Sequence, residues 1–148
     1  MDAQRILCPV DFSQPSRVAL EHAVALAKLF DGALTIFHVY QVPAYTLPDG
    51  VVLPTADQLK DLFERVDTAL AEWKQIALEL GAGRVDTAAA QGVVWNEIVN
   101  RAQEGGYDLI VVGTHGYTGL RHVLLGSVAE RVVQRASCPV LTVRSTGK

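Results

Sequence analysis

Five short segments rich in apolar residues recur along the chain and predict β-strands. They cover residues 5–10, 34–39, 84–90, 108–112 and 139–143. The fourth segment contains the unbroken apolar run Leu-Ile-Val-Val, which suits burial on both faces of a parallel sheet. The third segment alternates only weakly and carries two polar residues, so it predicts an edge strand.

Between these segments, apolar residues recur at the spacing of helices that bury one face. The first helix is predicted to begin with Ser13 as its N-cap and Pro15 in its first turn, and to end at Gly32. Two shorter helices are predicted around residues 95–102 and over residues 128–136. The second helix carries the longest apolar stripe, formed by Leu59, Leu62, Phe63, Val66, Leu70, Trp73, Ala77 and Leu80.

Strands and helices therefore alternate from one end of the chain to the other, without a change in composition that would mark a linker. Such alternation predicts a parallel sheet with helices on both faces, and hence one α/β domain over residues 1–148. Residues 41–55 hold three prolines and a glycine. They predict a long loop, which is either functional or mobile.

Composition excludes several classes of protein. Hydrophobic residues make up 49% of the chain and charged residues 20%, as in ordinary globular domains. The net charge is −3 and no basic run is present, which argues against a nucleic-acid partner. Apolar runs fall short of the ~20 residues that cross a bilayer, so we expect no membrane partner and a cytoplasmic location. Cys8 and Cys138 match no zinc or disulfide spacing and predict small buried side chains.

The glycine-rich segment 113–127 follows the most apolar strand and precedes a helix. Gly113 and Gly116 permit close backbone approach to a ligand, and Gly126-Ser127 stands where free N–H groups and the helix dipole favour an anion. The segment therefore predicts a polyphosphate site. An alternative is purely structural, because Ser127 and Glu130 have the spacing of a capping box. Both interpretations are compatible with each other.

The spacing Gly113-x-x-Gly116, nine residues, then Gly126-Ser127 resembles the ATP-binding motif of the universal stress protein family. The resemblance extends over the whole chain. It includes the ends or bodies of four strands, Pro9-Val10-Asp11, Phe37-His38-Val39, Asp108-Leu109-Ile110-Val111-Val112 and Cys138-Pro139-Val140-Leu141.

The resemblance implies a flavodoxin-like, five-stranded parallel sheet in the order 3-2-1-4-5, with ligand bound at the switch point between strands 1 and 4. It makes Asp11 an acceptor for ribose hydroxyls and places adenine near Pro9, Val10 and Val39. An Asx-type cap of the following turn is the alternative for Asp11. The residues that the resemblance places around the phosphates are Gly113, His115, Gly116, Gly126, Ser127 and Val128. His115 would either donate to a phosphate or support the loop.

The function implied is that of a regulatory protein of the stress response that binds ATP, ADP or AMP, either with or without bound Mg²⁺. The apolar last strand, at a sheet edge in the family topology, predicts a homodimer. Ala129 departs from the family, which often has a hydroxyl residue there, and one hydrogen bond would be lost. Alternatives are a slow ATPase or nucleotide-transferring enzyme, and a ligand-free interaction module. We expect ATP to be hydrolysed slowly or not at all, because no Walker-type lysine is present and Arg121 is the sole cation near the loop.

Overall fold

The computed structural model describes residues 1–115 and 125–145. The described residues form seven strands and four helices. In chain order these are β1 (Arg5–Pro9), α1 (Gln14–Phe30), β2 (Ala33–Tyr40), β3 (Tyr45–Leu47), β4 (Gly50–Val52), α2 (Ala56–Glu79), β5 (Arg84–Gln91), α3 (Val94–Glu104), β6 (Leu109–Gly113), α4 (Ser127–Arg135) and β7 (Val140–Val143).

Five of the strands form one parallel sheet in the order β5-β2-β1-β6-β7. Numbered within this sheet alone, the order is 3-2-1-4-5, so the predicted topology is confirmed. Strand β5 lies at one edge, as its weak alternation predicts, and β7 lies at the other. Strands β1 and β6 lie at the centre and pair with each other through Ile6 opposite Leu109.

The two faces of the sheet each support a separate apolar cluster. Ile6, Cys8 and Val10 face the cluster shared with α1 and α2, whereas Leu7 faces the cluster shared with α3 and α4. Strand β6 divides in the same way, with Val111 on the first face and Ile110 on the second. Both faces are covered, which is why these strands read as unbroken apolar runs rather than as alternating ones.

The ends of α1 follow local chemistry, with one correction. Ser13 caps the helix by accepting the Ser16 N–H at 3.3 Å, and Pro15 lies in the first turn, as predicted. Gly32 directly follows the C-cap Asp31, as a stop signal should, but Asp31 rather than Gly32 adopts the left-handed conformation, with φ of 52°. Gly32 is required for another reason, since a Cβ there would overlap the Ala3 carbonyl oxygen.

Helix α2 buries the middle of its predicted stripe but not the ends. Val66, Leu70 and Ala77 are buried, whereas Phe63 and Leu80 are 41% and 39% exposed. The helix also starts earlier than the stripe, at Ala56, because Thr55 and Gln58 form a capping box ahead of it. None of the helices in the described ranges is long and apolar enough to cross a membrane.

The predicted long loop over residues 41–55 is interrupted by a short β-hairpin, which the sequence pattern did not predict. Tyr45–Leu47 pairs antiparallel with Gly50–Val52, which leaves a two-residue turn between them. Strands of three residues are too short for a periodic pattern, so the sequence carried little signal for this hairpin. The hairpin exposes large apolar side chains, at Tyr45, Leu47, Val51 and Val52.

Candidate functional site

The carboxyl ends of β1 and β6 lie side by side at the centre of one sheet edge. From β1 the chain passes through α1 to β2 on one side, and from β6 it passes through α4 to β7 on the other. The connections leave in opposite directions and open a crevice between them. Ligands of open α/β sheets bind in such a crevice.

Asp11 follows β1 and organises the turn into α1. Its Oδ1 accepts the Ser13 N–H at 3.0 Å and the Ser16 hydroxyl at 2.6 Å, and it also accepts the Ser13 hydroxyl. The Asx-type cap is therefore present in the structure. No hydrogen bond from the described residues reaches the second carboxylate oxygen, Oδ2, of this half-buried side chain.

Phe12, the next residue, has a φ of 64°, in the left-handed region. A bulky side chain there costs of order 1–3 kcal/mol and persists only where the surroundings enforce it. Its ring lies 4.5 Å from that of His38 and 5.4 Å from that of Trp73, centroid to centroid. Sequence reasoning missed this cluster, because phenylalanine gives no local signal for a left-handed turn.

The residues predicted around adenine are well ordered by the sheet but do not share one surface. The Val10 N–H donates to Phe37 O at 2.8 Å, and the Val10 carbonyl is 2.8 Å from His38 Nδ1. Val10 joins the cluster on the α1 and α2 face, whereas Val39 joins the one on the opposite face. Pro9 is buried in the end of β1. Val10 and Val39 therefore direct their side chains to opposite faces of the sheet.

Gly113 and Gly126 are explained by close contacts within the chain. A Cβ on Gly113 would lie 3.0 Å from Pro15 O, and one on Gly126 would lie 2.8 Å from Thr114 O. Neither glycine has a positive φ. Close contacts within the chain are therefore enough to require glycine at both positions, without the predicted approach of a ligand. The same contacts bring the starts of α1 and α4 against the end of β6. Gly116 lies outside the described residues.

The N-terminus of α4 differs from the predicted capping box. Gly126 is the N-cap, with φ of −69° and ψ of 162°, and Ser127 is the first helical residue. Its exposed hydroxyl makes no capping hydrogen bond with residues 1–115 or 125–145. The shift of one residue arises because Gly126 packs on Thr114, and its N–H donates to the Thr114 carbonyl. A glycine cap offers no side-chain acceptor, so within the described residues no side chain caps the N–H groups at this positive end of the helix dipole.

Two residues predicted to contact the phosphates remain, and they lie in different surroundings: His115 at the end of β6 and Val128 against the apolar core. His115 Nδ1 lies 3.0 Å from the hydroxyl of buried Thr114, which ties the imidazole to the end of β6. Val128 is half-buried and packs on the α3 and α4 cluster. Ala129 is 2% exposed in that cluster, so the departure from the family pattern fills core space.

Metal ligands and reactive thiols are the other candidate functional groups, and neither forms a site in the described ranges. Within residues 1–115 and 125–145, no group of three potential metal ligands occurs. Burial raises the pKa of the Cys8 thiol from 9.0 to about 12, and burial together with the Asp108 carboxylate raises the pKa of Cys138.

A cavity of about 330 Å³ lies between the hairpin and α2, lined by residues such as Tyr45 and Leu59. None of the predicted nucleotide ligands lines that cavity.

Comparison with known proteins settles the family. The model of the universal stress protein family matches residues 3–144. The chain belongs to the universal stress protein family. A universal stress protein of Methanocaldococcus jannaschii is 42% identical over 147 residues, which cover 98% of this chain and 84% of that protein.

Solved structures of other universal stress proteins have the same fold. The universal stress protein UspA from Lactobacillus plantarum superposes with a TM-score of 0.82 at 27% identity, covering 97% of this chain and 99% of its own. A universal stress protein solved in complex with cAMP superposes with a TM-score of 0.74 at 28% identity, covering 97% and 98%. The predicted family and fold are thereby confirmed.

Proposed function

We propose that this universal stress protein binds an adenine nucleotide, ATP, at the crevice between β1 and β6, and acts as a regulatory homodimer in the stress response. The observation that carries the proposal is the N-terminus of α4, where glycine replaces a capping side chain beside the end of β6. Helix N-termini of this kind bind phosphate through backbone N–H groups and the dipole. The proposal places the protein in the cytoplasm, where ATP is abundant.

A contrast between helices supports the assignment of the phosphates to α4. The N-termini of α1 and α2 are closed by the side chains of Ser13 and Thr55. No side chain among the described residues caps α3 or α4, and of these two helices α4 contacts the end of β6, through Gly126 and Thr114. The capped N-terminus of α1 lies against the same strand end through Pro15. An anion in the crevice would therefore be held by α4, through the N–H groups of Ser127 and Val128.

Asp11 is the proposed acceptor for the ribose hydroxyls. Its Oδ1 is committed to the turn, which fixes the carboxylate, and Oδ2 remains to accept from a ligand. Hydrogen bonds to a charged acceptor are the stronger class, about 1.5–3 kcal/mol each. The two interpretations of Asp11, cap and ligand, thus use different oxygens of one carboxylate. Adenine would lie at the sheet edge beside Val10 and Val39, in contact with their backbone atoms.

The relative solved with cAMP supports an adenine nucleotide as the ligand class. The choice of ATP over ADP and AMP rests on the glycine motif and on the anion-binding end of α4. Mg²⁺ would arrive with ATP as the counter-ion of its phosphates. Gly116 and Arg121, which the sequence places in the same loop, lie outside the described residues.

We also propose that bound ATP turns over slowly. Backbone N–H groups bind ground-state and transition-state phosphate about equally, and such uniform binding does not lower the chemical barrier. Asp11 Oδ1 accepts hydrogen bonds from the turn that follows it, so this oxygen does not orient an attacking water molecule. Slow turnover fits a protein that reports on ATP rather than one that consumes it.

The proposed homodimer forms through β7, whose outer edge pairs with no other strand of residues 1–115 and 125–145. The Ile110 N–H donates to Pro139 O and the Thr114 N–H donates to Val143 O. In a parallel pair with this pattern, Leu141 and Val143 direct their N–H groups toward β6. Val140 and Thr142 direct theirs outward, where a two-fold partner strand would accept them.

The test is to purify the protein, denature it, and identify any nucleotide released, then to titrate nucleotide-free protein with ATP by calorimetry. We expect ATP binding, and at least about fivefold weaker binding for Asp11→Asn, which keeps the Asx-type turn but loses the charge. Phosphate release from radiolabelled ATP should stay below one turnover per minute. Failure of the wild-type protein to bind any adenine nucleotide would refute the proposal.

A further inference from the structure

The strained backbone at Phe12 lies between Asp11, the proposed acceptor for the ribose hydroxyls, and Ser13, whose N–H donates to the Asp11 carboxylate. Asp11 precedes it and Ser13 follows it, and the left-handed φ of 64° brings the Ser13 N–H onto Asp11 Oδ1 at 3.0 Å. An extended or right-handed Phe12 would direct Ser13 elsewhere. The orientation of the Asp11 carboxylate therefore depends on the conformation of Phe12.

The ring of Phe12 is held from two sides by elements distant in sequence. His38 of β2 lies beneath it at 4.5 Å with a 36° tilt, and its Nδ1 is fixed on Val10 O. Trp73 of α2 meets it edge-on at 5.4 Å and 76°. The edge-on arrangement with Trp73 is an attractive one for aromatic rings, and both centroid distances are those of packed aromatic pairs. Two packed elements thus enforce a backbone conformation that phenylalanine disfavours.

We propose that Phe12, clamped between His38 and Trp73, is a positioning residue that holds the Asp11 carboxylate for the ribose hydroxyls of the nucleotide. This inference rests on the proposed function. Through the clamp, α2 contributes to ribose recognition without contacting the ligand. The consequence is a specificity effect, since only nucleotides with ribose hydroxyls depend on the orientation of Asp11.

The experiment compares ATP with 2′,3′-dideoxy-ATP, which lacks both ribose hydroxyls, by calorimetry on full-length variants. Phe12→Gly removes the ring while allowing the left-handed backbone, and Trp73→Leu removes one side of the clamp. Phe12→Tyr is the conservative variant. Phe63→Leu is the matched control, because it removes a similar edge-on pair between α2 and β2, Phe63 with Tyr40 at 5.6 Å, that includes neither Phe12 nor its two partners.

We expect Phe12→Gly and Trp73→Leu to bind ATP about five- to tenfold more weakly, while binding of the dideoxy nucleotide changes by less than about twofold. Phe12→Tyr and Phe63→Leu should keep the wild-type ratio of the two affinities. Circular dichroism and urea unfolding establish which variants are folded, and either clamp variant suffices for the comparison.

Equal loss of both nucleotides in a folded clamp variant would overturn the inference, since it would show a general structural effect. Unchanged ATP affinity would overturn it as well. Wild-type protein that binds ATP and the dideoxy nucleotide equally would remove the ribose role of Asp11, and the clamp with it. Wild-type protein that binds neither would instead refute the proposed function on which the inference depends.

Discussion

A negative charge at the start of α4 should raise stability and lower ATP affinity together. Ser127 is the first residue of the helix, is exposed, and makes no capping hydrogen bond with the described residues, so Ser127→Glu adds a charge without removing a cap from that part of the chain. A carboxylate there favours the positive end of the helix dipole. The same carboxylate repels a phosphate bound at that end.

The two effects differ in size. A carboxylate in the first turn stabilises a helix by about 0.3–1 kcal/mol. Two unit charges about 6 Å apart repel by about 0.7 kcal/mol in water and about 3 kcal/mol at an effective dielectric constant of about 20. ATP affinity should therefore fall by about 3- to 100-fold while the free energy of unfolding rises slightly.

The assay is calorimetric titration with ATP beside urea unfolding, for the wild type, Ser127→Glu and Ala56→Glu. The last is a matched control, because Ala56 is the exposed first residue of α2, and the first turns of α2 and α4 each already hold an acidic residue. Ala56→Glu should leave ATP affinity unchanged. The affinity loss in Ser127→Glu should shrink in high salt, which screens exposed charges.

Wild-type affinity in folded Ser127→Glu would refute the assignment of the phosphates to α4. An equal loss in Ala56→Glu would show an effect of net charge on the whole protein, and would refute it too. Gly126 is not a suitable position for this test, since any Cβ there meets the Thr114 carbonyl oxygen at 2.8 Å.

Two further predictions concern stability and assembly. The pKa of Cys8 is raised from 9.0 to about 12, so above pH 9 the unfolded chain loses a proton that the folded protein keeps, and stability falls as pH rises. Relative to Cys8→Ala, wild-type protein should lose about 1.4 kcal/mol per pH unit above pH 9 in urea unfolding, and parallel curves would contradict this. Thr142→Pro removes an outward N–H of β7 and should give a folded monomer by light scattering, whereas Leu141→Pro breaks the ladder with β6 and should destabilise the fold. A dimeric Thr142→Pro protein, or a monomeric wild type, would contradict the β7 interface.

The sheet was predictable because its signals are local and strong. Both central strands are buried on two faces, so each reads as an apolar run, and Ser13 caps α1 through its own hydroxyl. The hairpin over Tyr45–Val52 was not predictable, because its strands are three residues long and all exposed. Its apolar residues follow no period that a sequence pattern could reveal.

The sequence by itself determined the alternation of strands and helices, the family, and the residues at the strand ends. Periodicity and caps depend on neighbours within a few positions, so they can be read along the chain. The tertiary structure decided which residue caps α4 and which Asp11 oxygen the turn engages. Gly126 packs on Thr114, and Phe12 is held by Trp73, 61 positions away in the chain. Contacts of this kind arise only when the sheet brings distant segments together, so they cannot be predicted from a local sequence pattern.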